Sequence, residues 1–544
     1  MITEARINEN RKSRYYREGL WTEKTILDVW EAQAAACWSD TYVTDSKGSS
    51  FTYGEVDESA SKLAFWLIDQ GIEPGDVVSF QMPTWAEFCI VYVACLKAGV
   101  VMHPLSIDRR RRSVVQNMNQ VASRAYIGPT LFESTDFESL ALDARHEVPS
   151  LRCLLFVDRL APVQRGTALS AVLQDVGRTP GRPEVSSDDV ACILSTSGST
   201  GKPKAAMLTH NNILFSETSF IAGAGRTKRD VMYMPSPLNH ATGFFHGLLS
   251  PMILGGRAVL QERFDVEEAV DLVNAERCTW SMGATPFIFD LLNELDRTGK
   301  KLESLEMFLC GGAPVPGSLV QRAWKHGVLL CEVYGSTESC PHVYVPPADC
   351  LAWNGSWSGI PYPGIEVRVV DEHRNEVPRG TQGEEASRGP HQFVGYLGDP
   401  ERTDKALDDE GWFYSGDLCY QDEQGRIRIN GRKKEIIIRG GENISAVEVD
   451  HLVDGCPGIG DHAAIGMPDE RPGEVVCLFA VSEKGRCATL AEVRDYMRAQ
   501  EAHEHLLPVR LEFVDEIPHT ATGKTRRFLL VEELKRRMEE EVRG

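Results

Sequence analysis

Helix-period and strand-period patterns alternate along most of this chain, and that alternation restricts the folds open to it. Ala60, Leu63, Ala64, Leu67 and Ile68 recur at helical spacing and stop at Gly71. Gly75-Asp76-Val77-Val78-Ser79-Phe80 then reads as a short buried strand. A second helical pattern runs from Trp85 to Lys97 and ends at Gly99, and Val100-Val101 opens another strand, closed by Pro104. Repeated βα units predict layered α/β structure around a mostly parallel sheet. The pattern continues to about residue 360.

Beyond it the organisation changes twice. Residues 359–431 carry short strands, such as Glu366 to Val370 and Arg426 to Ile429, between Gly, Pro and Asp turns, which predicts a small β-rich subdomain. After Arg432 come a helix (Ala446 to Val453), strands (His462 to Ile465, Val475 to Val481), a helix (Leu490 to Arg498) and a strand (Arg510 to Val514). A charged helix (Arg526 to Val542) ends this α+β unit. With 544 residues, more than one core organises the chain. The expected division is a large α/β domain over 1–431, a hinge over 432–434 and a small, mobile α+β domain over 435–544.

Net charge −21 disfavours nucleic acid and anionic membrane as partners, and no long basic run offsets it. The short run Arg109 to Arg112 reads as a solvated turn or helix face. Fourteen cysteines occur without a CxxC pair, mostly in apolar contexts, as expected of reduced core thiols rather than disulfides or a zinc site. The charged N-terminus does not read as a signal peptide, and the longest apolar stretch, Phe88 to Leu96, is too short to span a bilayer. The expected location is the cytoplasm.

The sharpest chemical feature is Thr196-Ser197-Gly198-Ser199-Thr200-Gly201-Lys202-Pro203-Lys204, which directly follows the buried strand Asp189 to Leu194. Glycines let backbone N–H groups approach a ligand, hydroxyls add donors, and Lys204 adds a charge, so such a loop can wrap polyphosphate oxygens. The GxxxxGK[ST] spacing of a Walker A loop is absent. This nonapeptide resembles the phosphate loop of the adenylate-forming superfamily: acyl-CoA synthetases, luciferases and peptide-synthetase adenylation domains. Tyr334-Gly335-Ser336-Thr337-Glu338, Tyr414-Ser415-Gly416-Asp417, Gly431-Arg432-Lys433-Lys434-Glu435 continuing into Gly440-Gly441-Glu442-Asn443, and Thr522-Gly523-Lys524 resemble its later signatures, in the family's order.

The resemblance implies ATP, Mg2+ and coenzyme A as cofactors. It implies Glu338 and the Thr196 hydroxyl on Mg2+, Tyr334 stacked on adenine, and Gly311, Gly312 and Ala313 as the opposite wall. Asp417 would accept from the ribose hydroxyls, with Arg432 nearby. Lys524 would reach the carboxylate and the α-phosphate. Lys434 would be the hinge pivot, and Gly440 and Gly441 would leave room for the pantetheine arm. His240, in Pro237-Leu238-Asn239-His240-Ala241-Thr242-Gly243-Phe244-Phe245-His246-Gly247, resembles the aromatic gate of the acyl tunnel. His246 lacks that support and reads as structural. Three departures from the family pattern concern coenzyme A: Pro518-His519-Thr520, Ala446 in place of a proline, and His505-Leu506-Leu507-Pro508-Val509.

Residues 238–247 hold no acid, so an amino-acid substrate, whose ammonium needs a partner, is not expected. Thr242, Phe244, Ala284 and Gly312 are candidate pocket residues. Further stretches, among them Ala284-Thr285-Pro286-Phe287 and Phe308-Leu309-Cys310-Gly311-Gly312, resemble short- to medium-chain fatty acyl-CoA synthetases and cyclohexanecarboxylate-CoA ligases. The expected reaction is AMP-forming ligation of a medium-chain fatty or alicyclic acid to CoA. Carrier-protein loading and ligation of aromatic or polycyclic acids are the alternatives, and a homodimer stays open.

Overall fold

A computed structural model describes the chain apart from residues 1, 3, 175–179, 197–203, 440–441, 470–472, 484–485, 501, 521–522 and 544. The side chains of 196, 434, 438, 442, 443, 473, 542 and 543 also lie outside the description.

Two large sheets carry the first 360 residues. In the nine-stranded sheet, Leu329–Ser336, Met307–Gly311, Trp280–Ala284, Val231–Met234, Arg257–Leu260 and Thr41–Asp45 pair in parallel. Antiparallel strands finish both edges: Cys340–Tyr344 and Ile360–Pro361 on one side, Ser50–Thr52 on the other. The seven-stranded sheet is parallel except where Lys204–Thr209 turns back on Val190–Thr196.

Helix Glu87–Ala98 is buried at every position except Glu87 and Lys97. A helix apolar on all faces has to sit inside a core. Phe88 packs edge-on against Phe80 of the seven-stranded sheet, and Tyr92 reaches Phe244 beside the other, so this helix is wedged between layers. It begins two residues later than its periodicity predicts. Trp85 lies in the preceding turn, where its indole donates to the Glu262 carboxylate.

Residues 366–432 form the expected β-rich unit, a four-stranded antiparallel meander of Glu366–Val370, Gly383–Arg388, Phe413–Gln421 and Ile427–Arg432. A 3-10 turn, Lys433–Glu435, separates it from a five-stranded sheet. That sheet holds Ile436–Arg439, Glu442–Ser445, Ile459–Asp469, Gly473–Ser482 and Arg510–Phe513, with helices Ala446–Val453, Leu490–Ala499 and Arg527–Arg543 against it. Its apolar core is separate from that of the large sheets.

Every cysteine is a free thiol, and all but Cys487 are buried. No described helix is long and apolar enough to cross a membrane. The arginine run splits: Arg110 precedes helix Arg111–Gln120 and donates to Thr135, Arg111 pairs with Glu147, and Arg109 donates to Ser113.

Candidate active site

Strand Val190–Thr196 delivers the chain to the Gly/Ser/Thr loop, and Lys204 starts the return strand in register with Thr196. The side chain of Thr196, and Ser197, Gly198, Ser199, Thr200 and Gly201 altogether, lie outside the described residues. Lys204 does not. Its ammonium stands 3.6 Å from Glu338 Oε1 and 5.1 Å from the centre of the Tyr396 ring. The Tyr396 hydroxyl donates to Glu338 Oε1 at 2.7 Å. Tyr396 escaped the sequence reading, because its one local signal is the preceding Gly395.

Glu338 is held by the turn between Leu329–Ser336 and Cys340–Tyr344. Ser336 and Ser339 bond each other across that turn, the backbone N–H of each to the hydroxyl of the other at 3.2 Å. Gly335 is required here, since a Cβ at this position would run into the Cys340 carbonyl. Thr337 completes the turn.

Tyr334 lies on the same strand and donates its hydroxyl to Asp417 Oδ2 at 2.8 Å. Buried Glu385 backs the pair, 3.4 Å from the Tyr334 hydroxyl and 3.2 Å from His342 Nε2. Asp417 stands opposite Arg432 in the meander. Arg432 Nε is 3.0 Å from Asp417 Oδ1, but the approach misses hydrogen-bond geometry, so that oxygen keeps acceptor capacity although the residue is only 5% exposed. Burial pushes the Asp417 carboxyl above its ordinary value, and Arg432 opposes that rise.

Gly311 ends strand Met307–Gly311 where a Cβ would lie 2.9 Å from the Val333 carbonyl, so flat backbone faces the cleft. Gly312 and Ala313 are exposed there. Gly312 has φ +93°, and a Cβ on it would touch Cε of Lys524 at 3.7 Å. The structure thus sets Gly312, one of the candidate pocket residues, against the Lys524 side chain.

A tight turn presents Lys524. Its N–H donates to the Thr520 hydroxyl, and its carbonyl accepts from the Thr520 N–H. Gly523, at φ +74°, lets the turn pass Pro286 of the large domain, where a Cβ would meet the proline ring at 2.5 Å. The Lys524 side chain stays open to solvent within the cleft, yet protein surrounds it on most sides. Its pKa is lowered, first by desolvation and then by Arg432, while Asp417 and Glu338 counteract.

His240 sits in the bend before a π-helix, Thr242–Gly247, that periodicity could not reveal. The Thr242 N–H donates to Nδ1, which leaves the ring proton on Nε2. Desolvation, with Lys524 and His246 nearby, pushes the pKa down to about 4, so the ring is neutral near pH 7. The gate itself lacks acid, but helix His210–Ala224 brings Glu217 beneath it, with Glu217 Oε1 3.0 Å from His246 Nδ1 and Oε2 accepting from Ser250 at 2.7 Å. Of the remaining expected residues, Lys434 is described by its backbone alone, and Gly440 and Gly441 lie outside the description.

Residues from three separate units therefore meet in one cleft: Lys204, Glu338 and Tyr334 from the large sheets, Asp417 and Arg432 from the meander, and Lys524 from the C-terminal sheet. A match to the AMP-binding enzyme family spans residues 30–397, and one to the AMP-binding enzyme C-terminal domain spans 448–524. The medium-chain fatty-acid–CoA ligase of Escherichia coli K12 is 41% identical over 98% of this chain and 95% of that protein. The indoleacetate–CoA ligase of Aromatoleum aromaticum is 34% identical over 88% of this chain and 92% of its own. The crystal structure of ATP-bound MatB from Rhodopseudomonas palustris superposes with TM-score 0.84 at 26% identity, covering 94% of this chain and 99% of that one.

Proposed function

This chain belongs to the AMP-binding enzyme family, and from that premise we propose that it is an AMP-forming acyl-CoA ligase acting on medium-length aliphatic or alicyclic carboxylic acids. The observation that carries the reading is Lys524, held within contact of Gly312 and electrostatically coupled to Asp417, Glu338 and Arg432.

In the first half-reaction a carboxylate oxygen attacks the α-phosphorus of ATP and pyrophosphate leaves, giving an acyl-adenylate. Tyr334 and the Gly311-Gly312-Ala313 backbone bracket the base, and Asp417 accepts from the ribose. Lys204 and Lys524 supply fixed positive charge where negative charge accumulates. The Gly/Ser/Thr loop, Ser197 to Gly201, would supply donors to the departing phosphates. Neutral His240 lines the acyl entrance without adding a charge that would compete with Lys524. In the second half-reaction the CoA thiol attacks the acyl carbon and AMP leaves.

Magnesium fits the donors present. A hard cation prefers oxygen ligands and takes most of them from phosphate and water. Glu338 and Thr196 would hold it, and it would neutralise charge on the phosphates.

Substrate class follows from the apolar, aromatic gate and from the relative named for medium-chain fatty acids. The proposed domain division is 1–431, hinge 432–434 and 435–544. Rotation about Lys434 exchanges Lys524 for the Gly440–Gly441 face, which makes room for pantetheine. The buried free thiols suit a reducing, cytoplasmic setting.

The test is product analysis. With ATP, Mg2+, CoA and octanoate or cyclohexanecarboxylate, the protein should release AMP and pyrophosphate and form acyl-CoA. ADP and phosphate instead would refute the reading.

A further inference from the structure

The Gly/Ser/Thr loop departs from Ser195 and Thr196, and Ser195 is tied to a buried relay that crosses the seven-stranded sheet. His103 lies on strand Val101–Pro104, between Val77–Phe80 and Val190–Thr196. It stands directly opposite Ser79 in the parallel register. Its Nδ1 is 2.8 Å from Ser79 Oγ, and its Nε2 is 3.0 Å from Ser195 Oγ. Ser79 and His103 are fully buried, whereas Ser195 is half-buried, one residue before Thr196.

A histidine between two hydroxyls can run in either direction, and the burial of each hydroxyl decides which. Desolvation pushes the His103 pKa down to about 3, with Arg109 acting the same way, so the ring is neutral near pH 7. It carries one N–H, donates to one serine and accepts from the other. The serine that accepts must give its own proton elsewhere. Ser79 Oγ has no second partner among the described residues and no access to solvent. Accepting from the ring would strand its proton in the core, which is costly. Ser79 therefore donates to Nδ1, and the Nε2–H donates to Ser195. The proton left over is that of the Ser195 hydroxyl, at the half-exposed end of the relay.

Both ends are anchored. The Ser79 N–H donates to Ser123 Oγ at 3.3 Å, and Ser123 donates to the Ala125 carbonyl on the next strand. At the outer end Ser195 pairs with Ala205 and Thr196 with Lys204, the lysine whose ammonium stands 3.6 Å from Glu338.

We propose that His103 is a positioning residue for ATP: through Ser195 it fixes the strand end from which the phosphate loop departs, and it leaves the Ser195 hydroxyl a proton to give there. The inference rests on the acyl-CoA ligase reading and concerns only the step that handles polyphosphate. Acyl-AMP has lost its β- and γ-phosphates, so the second half-reaction does not call on the relay.

The experiment measures ATP-dependent pyrophosphate exchange with octanoate, and separately thioester formation from supplied octanoyl-AMP and CoA. The proteins are the parent, His103→Leu, His103→Gln, Ser195→Ala and the double variant of His103→Leu with Ser195→Ala. His103→Leu and Ser195→Ala should each raise KM for ATP by about three- to tenfold, the worth of one hydrogen bond. KM for octanoate and the rate of thioester formation should stay unchanged. The double variant should be no worse than either single one, since both cut the same tie. His103→Gln, whose amide also offers a donor and an acceptor, should recover most of the loss. An unchanged KM for ATP in Ser195→Ala would overturn the inference, and that variant removes only a half-buried hydroxyl, so it decides the matter even where His103→Leu does not fold. Parallel loss of both half-reactions, or effects that multiply in the double variant, would also overturn it. A parent protein that exchanges no pyrophosphate with any carboxylate would overturn the ligase reading instead.

Discussion

Tyr334→Phe isolates one atom of the nucleotide site. The ring stays, so the proposed stacking on the base is retained, and only the hydroxyl that donates to Asp417 Oδ2 at 2.8 Å is removed. A hydrogen bond to a charged acceptor is worth roughly 1.5–3 kcal/mol. Arg432 remains 3.0 Å from the other oxygen, and the open cleft admits water, so the lower end applies. About 1.5 kcal/mol corresponds to a little over tenfold in ATP affinity. A pH signature accompanies the loss. Burial already raises the Asp417 carboxyl, and the Tyr334 hydroxyl is among the groups that lower it. Removing that donor raises the pKa further. Burial of the charge costs the folded protein stability above the folded-state pKa, and that cost vanishes below the unfolded value. Ribose binding runs the other way, because it uses the ionised carboxylate and weakens as pH falls through the folded-state pKa. The variant should therefore lose ATP affinity at a higher pH than the parent. ATP-dependent pyrophosphate exchange, measured as KM and kcat from acidic to neutral pH, reads both effects. An unchanged KM for ATP with an unshifted acid limb would refute the link between Tyr334 and Asp417.

Other consequences can be measured with the half-reactions separated. Lys524→Ala should abolish acyl-adenylate formation and spare thioester formation from supplied acyl-AMP, whereas Lys434→Pro, by fixing φ at the pivot, should do the reverse; equal loss of both steps in both proteins would refute alternation of the domain. Gly523→Ala combines a positive φ with a Cβ 2.5 Å from Pro286, so adenylation should fall at least about tenfold while thermal stability drops by no more than about 1 kcal/mol; parallel loss of both half-reactions would remove Pro286 as the docking point. Gly312→Ala should disturb Lys524 and leave the ranking of acids by chain length unchanged, and a shortened preference would place Gly312 in the acyl pocket.

Local pattern was legible wherever burial is periodic. Helix Ala446–Val453 and strand Glu366–Val370 occupy the residues their patterns indicate. The parallel character of both large sheets follows from βα repetition. Three things were not legible, each for a physical reason. The π-helix Thr242–Gly247 obeys no 3.6-residue period. Tyr396, Glu385 and Glu217 gain meaning only through partners far away in the chain: Glu338, Tyr334 and His246. The placement of Gly312 against Lys524 depends on how two domains meet, which no local propensity encodes.

The contact of Gly523 with Pro286 has a kinetic consequence. It joins a residue without a side chain to a rigid ring, so it excludes misfit strongly while offering little attractive surface. A joint of that kind registers position without adhering. Under the proposed alternation, a domain that arrives and departs once per turnover needs such a stop, because a sticky interface would lengthen every departure. On that proposal the residence time of the closed state is set by the nucleotide and acyl group that fill the cleft, and the domain is released once the product no longer spans the gap.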